Sequence, residues 1–143
     1  MRRALAPLRM LYVLATNSVR TSDVLCEYLR DRLAPGDAVH AINSQHGGDR
    51  SSAADVREGE EALDAVEDAL DDIEGVTVET HQFVRGNSPA EDVLAYADDV
   101  DADEFVIGVR DRSPTAKVVF GSVAQDLLLG ANLPLRVVPQ ETV

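Results

Sequence analysis

The chain has almost no lysine and almost no cysteine: Lys117 stands alone among 13 basic residues, and Cys26 is the single thiol in 143 positions. One cysteine excludes an intramolecular disulfide and any cysteine-based metal cluster. Cys26 falls on the apolar stripe of a predicted helix and is expected to be a small core residue. The basic residues face 26 acidic ones, for a formal charge of −13. Such a surface repels phosphate backbones, whose nonspecific capture depends on lysine and arginine displacing counterions. DNA and RNA are therefore not expected as partners. Excess carboxylate with one lysine is also expected of a soluble protein from a high-salt (halophilic) cytoplasm, where salt screens self-repulsion. Long hydrophobic runs are missing too. Arg9 interrupts the charged beginning Met1 to Arg9, and Met10 to Ala15 is too short for a signal peptide. No stretch approaches the roughly 18 apolar residues of a membrane span, so a cytoplasmic location and no membrane partner are expected. Repeats, low-complexity tracts and linkers are not evident, which makes 1–143 a single domain large enough to bury a core.

What is present alternates strand and helix signals. Leu8 to Ala15 has the continuous apolar character of a central strand covered on both faces. Ser22 is placed as N-cap of a helix carrying Val24, Leu25, Tyr28, Leu29 and Leu33, ended by Pro35-Gly36-Asp37. Ala38 to Asn43 is a second strand. Gln45 to Ser52 is a glycine-containing loop, a candidate mobile cover for a ligand. A helix from about Ala53 carries Val56, Leu63, Val66, Leu70 and Ile73 and stops at Gly75. Val76 to Val84 alternates as an edge strand. Ser88 and Glu91 stand at capping-box spacing with Pro89 between them, ahead of a helix with Val93, Leu94, Ala97 and Val100. Glu104 to Gly108 is a strand, Ser122 to Leu129 a helix with Gly130 as C′ residue, and Leu133 to Pro139 a last strand. The order β-α-β-α-β-α-β-α-β requires a doubly wound α/β fold, a five-stranded parallel sheet with helices on both faces. A ligand then sits beyond the strands' carboxyl ends where strand order reverses. Thr16 and the connection after Gly108 would form the two walls.

That connection, Gly108 to Ser122, holds Arg110, Arg112 and Lys117 ahead of a helix N-terminus. Free backbone N–H groups and the positive end of the helix dipole make it a candidate anion site. The three basic side chains either hold phosphate or pair with this chain's own carboxylates.

The chain resembles the universal stress protein family from about Met10 to Pro139. The resemblance rests on Val84-Arg85-Gly86-Asn87-Ser88-Pro89-Ala90-Glu91, Tyr96-Ala97, Asp103 to Gly108, Gly121-Ser122-Val123-Ala124 and Leu133 to Val138. It implies strand order 3-2-1-4-5, an adenine-nucleotide alpha-hydrolase-like sheet, and a homodimer through the last strand, Leu135 to Val138. The family's nucleotide-binding branch carries G-x2-G-x9-G-[ST]. Here Gly108, Gly121 and Ser122 match, while Asp111 stands where the second glycine would be. The family's first-strand aspartate is replaced by Thr16, and Ala41 matches a position whose main chain faces adenine. The implied ligand is ATP or another adenine nucleotide, with Mg²⁺ only as a companion of its phosphates.

Three function classes follow. The first is a stress-response protein that binds an adenine nucleotide through the loop between the fourth strand and fourth helix. The second is a dimeric interaction module of the same fold without nucleotide, motivated by Thr16 and Asp111. An enzyme is the third, and it has no nucleophile at a recognisable spacing; His40, His46 and His81 fall on a strand, a loop and an edge strand. Weak ATP hydrolysis is the most expected of it, with no residue assignable as base.

Overall fold

In the computed structural model the chain is described over residues 9–47, 51–84, 88–112, 118–119 and 122–140, and for 110–112, 118–119 and 122 only the backbone is described. The elements in order are β1 (Leu11–Ala15), α1 (Val19–Arg30), β2 (Ala38–Gln45), α2 (Ala53–Leu70), β3 (Thr77–Val84), α3 (Pro89–Asp99), β4 (Glu104–Arg112), β5 (Val118–Val119), α4 (Ser122–Gly130) and β6 (Leu135–Pro139). β1, β2, β3, β4 and β6 form a parallel sheet in the order β3-β2-β1-β4-β6. This is the expected 3-2-1-4-5 order, β6 being the fifth parallel strand.

Alternation along β1 explains the two layers. Tyr12 and Leu14 face one way, joining Leu25 and Leu29 of α1 and Leu63, Val66 and Leu70 of α2. Val13 faces the other way with Phe105 and Ile107 of β4, against Val93 and Ala97 of α3 and Ala124 and Leu127 of α4. A strand buried on both faces needs the apolar run that Met10 to Ala15 supplies. Cys26 is in the first layer, 1% exposed. Burial, and next the Asp23 carboxylate, push its thiol up to about 12. Since the thiolate is the nucleophile, iodoacetamide at about pH 8 should leave folded protein unlabelled and alkylate it in concentrated guanidinium; rapid labelling of folded protein would contradict this burial.

Several local expectations are corrected. The N-cap of α1 is Ser18, whose side chain accepts from the Thr21 N–H, and Ser22 lies inside the helix with its N–H on Ser18 O. The earlier serine prevails because it has extended backbone and the later one is buried between helices. Ser88 is the N-cap of α3 and Pro89 its first residue, but no side-chain capping bond forms there. A capping box forms instead at Ser52 and Asp55 of α2. β2 runs two residues further than expected, to Gln45, and Ile73 and Val100 lie past the ends of their helices. Gly130 is the last residue of α4, not the residue after it.

The largest departure is after Gly108. β4 continues to Arg112 and pairs antiparallel with β5, through Arg110 with Val119 and Arg112 with Val118. Two steps on β4 oppose one on β5, so Asp111 is the extra residue of a bulge. What was expected to be one irregular loop therefore begins and ends as a short ribbon.

Candidate functional site

β1 and β4 are neighbours, while the chain leaves them in opposite directions, to β2 and to β6. A crevice must open between their carboxyl ends. It does, with a volume of about 560 Å³, within the range of ligand pockets. Its floor is apolar, from Ile42, Val93, Ile107, Ala124 and Leu127, and its rim polar, from Asn17, Ser18, Arg20, Thr21, Ser44 and Gln140. Glu58 is the carboxylate among the described lining residues.

Thr16 lines this crevice, but its hydroxyl is engaged within the chain. The Ser22 hydroxyl donates to Ala62 O at 2.6 Å, so its oxygen accepts from Thr16 at 2.8 Å; Ser18 O, 3.1 Å away, shares the same proton. Thr16 therefore offers a ligand only a lone pair and a methyl group. Its carbonyl accepts from Asn43 Nδ2 at 2.9 Å, and its N–H donates to Ile42 O.

Ala41 is fully buried, with its side chain in the layer against α1 and α2. It does not line the crevice, and its main chain lies in the ladder between Leu14 and Thr80. Its neighbours Ile42 and Ser44 do line it, because strand alternation turns them to the other face. Gly108 lies at the crevice where β4 passes it. Arg110 and Asp111 continue β4 as backbone, and Ser122 opens α4. Lys117 and Gly121 lie outside the described residues, as do Ser113, Pro114 and Thr115. The structure thus brings together Thr16 and Gly108, and adds lining residues that the sequence reading missed. Ile107 is legible as the residue before Gly108. Gln140 has no such signal, since only the pairing of β6 with β4 carries it there.

Ser44 Oγ donates to Asp92 Oδ2 at 2.9 Å, tying β2 to the first turn of α3. Further down the same face, His40 Nδ1 is hydrogen-bonded to the Tyr96 hydroxyl at 2.7 Å. His40 Nε2 and His81 Nε2 each stand 3.3 Å from one oxygen of Glu79. Burial lowers the pKa of His40 below its ordinary 6.5, against the pull of Glu79 and with the help of His81. The folded state then binds this proton less readily than the unfolded state, so stability is lost as pH falls through 6.5 and below. Thermal melts from pH 7 to about pH 5 should show a steeper decline for the parent than for His40→Gln. Parallel declines would remove His40 as the cause. Among the described residues, no group of three or more His, Cys, Asp or Glu side chains is arranged to hold a metal ion, and no helix is long and apolar enough to cross a membrane.

Residues 2–139 match the model of the universal stress protein family. A universal stress protein of Mycolicibacterium smegmatis is 40% identical over 94 residues, 66% of this chain and 69% of that protein. The structure of a universal stress protein from Archaeoglobus fulgidus superposes with a TM-score of 0.74 at 38% identity, covering 92% of this chain and 99% of that one. A universal stress protein from the same organism, solved in complex with dAMP, gives a TM-score of 0.67 at 34% identity, over 90% and 97% of the two chains. With a family match over almost the whole chain and a sheet in the order set out above, the chain belongs to the universal stress protein family.

Proposed function

We propose that the protein is a cytoplasmic stress-response protein that binds an adenine nucleotide in the crevice between β1 and β4. The carrying observation is a pocket of about 560 Å³ with an apolar floor and a donor-rich rim at this switch point. Its floor suits a flat purine and its rim the sugar and phosphate. The dAMP complex of the Archaeoglobus relative supports the same ligand class. Gly108, Arg110, Lys117, Gly121 and Ser122 are the proposed phosphate-side residues, and Mg²⁺ would enter only with phosphate oxygens as co-ligands.

Isothermal titration with ATP, ADP and AMP, in dilute buffer and in molar salt, tests this. High salt is included because a charge of −13 repels an anionic ligand and is screened there, as suits the high-salt setting we propose. Saturable heat with at least one nucleotide supports the reading; folded protein that takes up none of the three overturns it. One observation favours a module without nucleotide: the inward engagement of the Thr16 hydroxyl, which leaves the crevice without that donor. In either reading we propose a homodimer through β6, whose outer edge pairs with no described strand and whose Val137 is 38% exposed. Light scattering that gives a monomer mass would refute the dimer.

A further inference from the structure

Gln140 follows β6, and its N–H extends the ladder by donating to Val109 O at 2.8 Å. Its side chain turns back into the crevice. The Thr21 hydroxyl on α1 shares its proton between Gln140 Oε1 at 3.3 Å and Asn17 Oδ1 at 3.4 Å. Its Nε2 lies over Gly108, 2.5 Å from where a Cβ on that glycine would stand. Gly108 does not have a positive φ, so it is space for this carboxamide that calls for glycine there. An amide anchored through its oxygen presents both N–H donors on the opposite side. Among the described residues, no acceptor meets them.

The apolar floor and this rim set the direction of a bound nucleotide. Ile42, Val93 and Leu127 cannot satisfy an anion, so they suit the base. Arg20 and the first turn of α1, capped by Ser18, lie on the same rim as Gln140 and are positive. Resting on the nucleotide reading above, we propose that Gln140 is a ligand-binding residue: its carboxamide, steered by Thr21, donates to a phosphate oxygen of the nucleotide over Gly108. It brings a donor from beyond β6 to the Gly108 side of the site. Being neutral, it hydrogen-bonds the phosphate without adding an ion pair that would first need desolvation.

Calorimetric titration of the full chain with AMP and with adenosine separates this role from general damage. Gln140→Ala should weaken AMP about tenfold, as expected for losing a donor to a charged acceptor, and leave adenosine within about twofold. Gln140→Glu keeps the size and puts a carboxylate against the phosphate, so AMP should weaken by more than tenfold, again sparing adenosine. Thr21→Val, which frees the carboxamide, should fall between parent and Gln140→Ala. If the parent binds AMP and the Gln140 variants bind it equally well, or lose AMP and adenosine alike, this role is overturned while the nucleotide reading stands. If the parent binds neither ligand, both fall.

Discussion

Asn43→Ala is expected to cost about 2–3 kcal/mol and to make a second substitution, Gly59→Ala, less costly than it is in the parent. Asn43 is 1% exposed. Its Nδ2 donates to Thr16 O, and its Oδ1 accepts from the amides of Gln45 and Gln82. Those two amides keep second acceptors in the first turn of α2, Asp55 O and Val56 O. The Thr16 carbonyl has no such substitute among the bonds described, so most of the loss falls at the end of β1. Gly59 is what lets α2 lie on this polar cluster: a Cβ there would stand 2.6 Å from Asn43 Cγ and 2.7 Å from Gln82 Nε2. In the parent, Gly59→Ala gains about 1 kcal/mol of helix propensity and loses about 1–3 kcal/mol to overpacking, a net loss or near balance. With Asn43 truncated the nearest obstacle is gone and the Gln82 amide, which stays, must shift, so Gly59→Ala should cost less than it does in the parent. Urea unfolding of the four proteins gives the coupling directly. Additivity within about 0.5 kcal/mol would show that the two residues do not compete for this space.

Phe105→Ala should cost about 3–5 kcal/mol, a large share of the 5–15 kcal/mol that holds a domain together. Phe105 is 1% exposed at the centre of the α3 and α4 layer, in register with Val13 on one side and Leu135 on the other. The urea midpoint should drop with the slope unchanged. The proposed nucleotide affinity of the remaining folded protein should stay within a few-fold, because Phe105 precedes Gly108 by three residues, roughly 10 Å along the strand. A loss under about 1.5 kcal/mol would mean that α3 and α4 collapse into the space. A large loss of affinity would mean that the two ends of β4 are not independent.

The strands and helices were legible because each apolar run or stripe has one burial solution. Met10 to Ala15 can only be a strand covered twice, and Leu25, Leu29, Leu63, Val66 and Leu70 recur at the spacing that one sheet face requires. Caps were harder. Ser18, Ser22, Ser52 and Ser88 look alike in sequence; burial keeps Ser22 inside α1, while Ser18, Ser52 and Ser88 take the extended backbone of an N-cap. The antiparallel pairing of β5 was hidden because Val118-Val119 is too short to signal a strand, and its partner lies in residues that looked like loop. In the site, Thr16 and Gly108 could be found from their places at strand ends. The use of the Thr16 hydroxyl could not, since it depends on Ser22 and Ala62 meeting across two helices. Gln140 was invisible for the same reason: its role is set by Thr21, 119 positions earlier in the chain.

The hydroxyl chain from Thr16 through Ser22 to Ala62 also limits how this site can change over evolutionary time. Its protons run in one direction, Thr16 donating to Ser22 and Ser22 donating to Ala62 O. An ionised aspartate at position 16 has no proton to pass on. It would draw the Ser22 proton towards itself and leave Ala62 O without that second donor. Exchanging Thr16 for a carboxylate therefore calls for a compensating change at position 22.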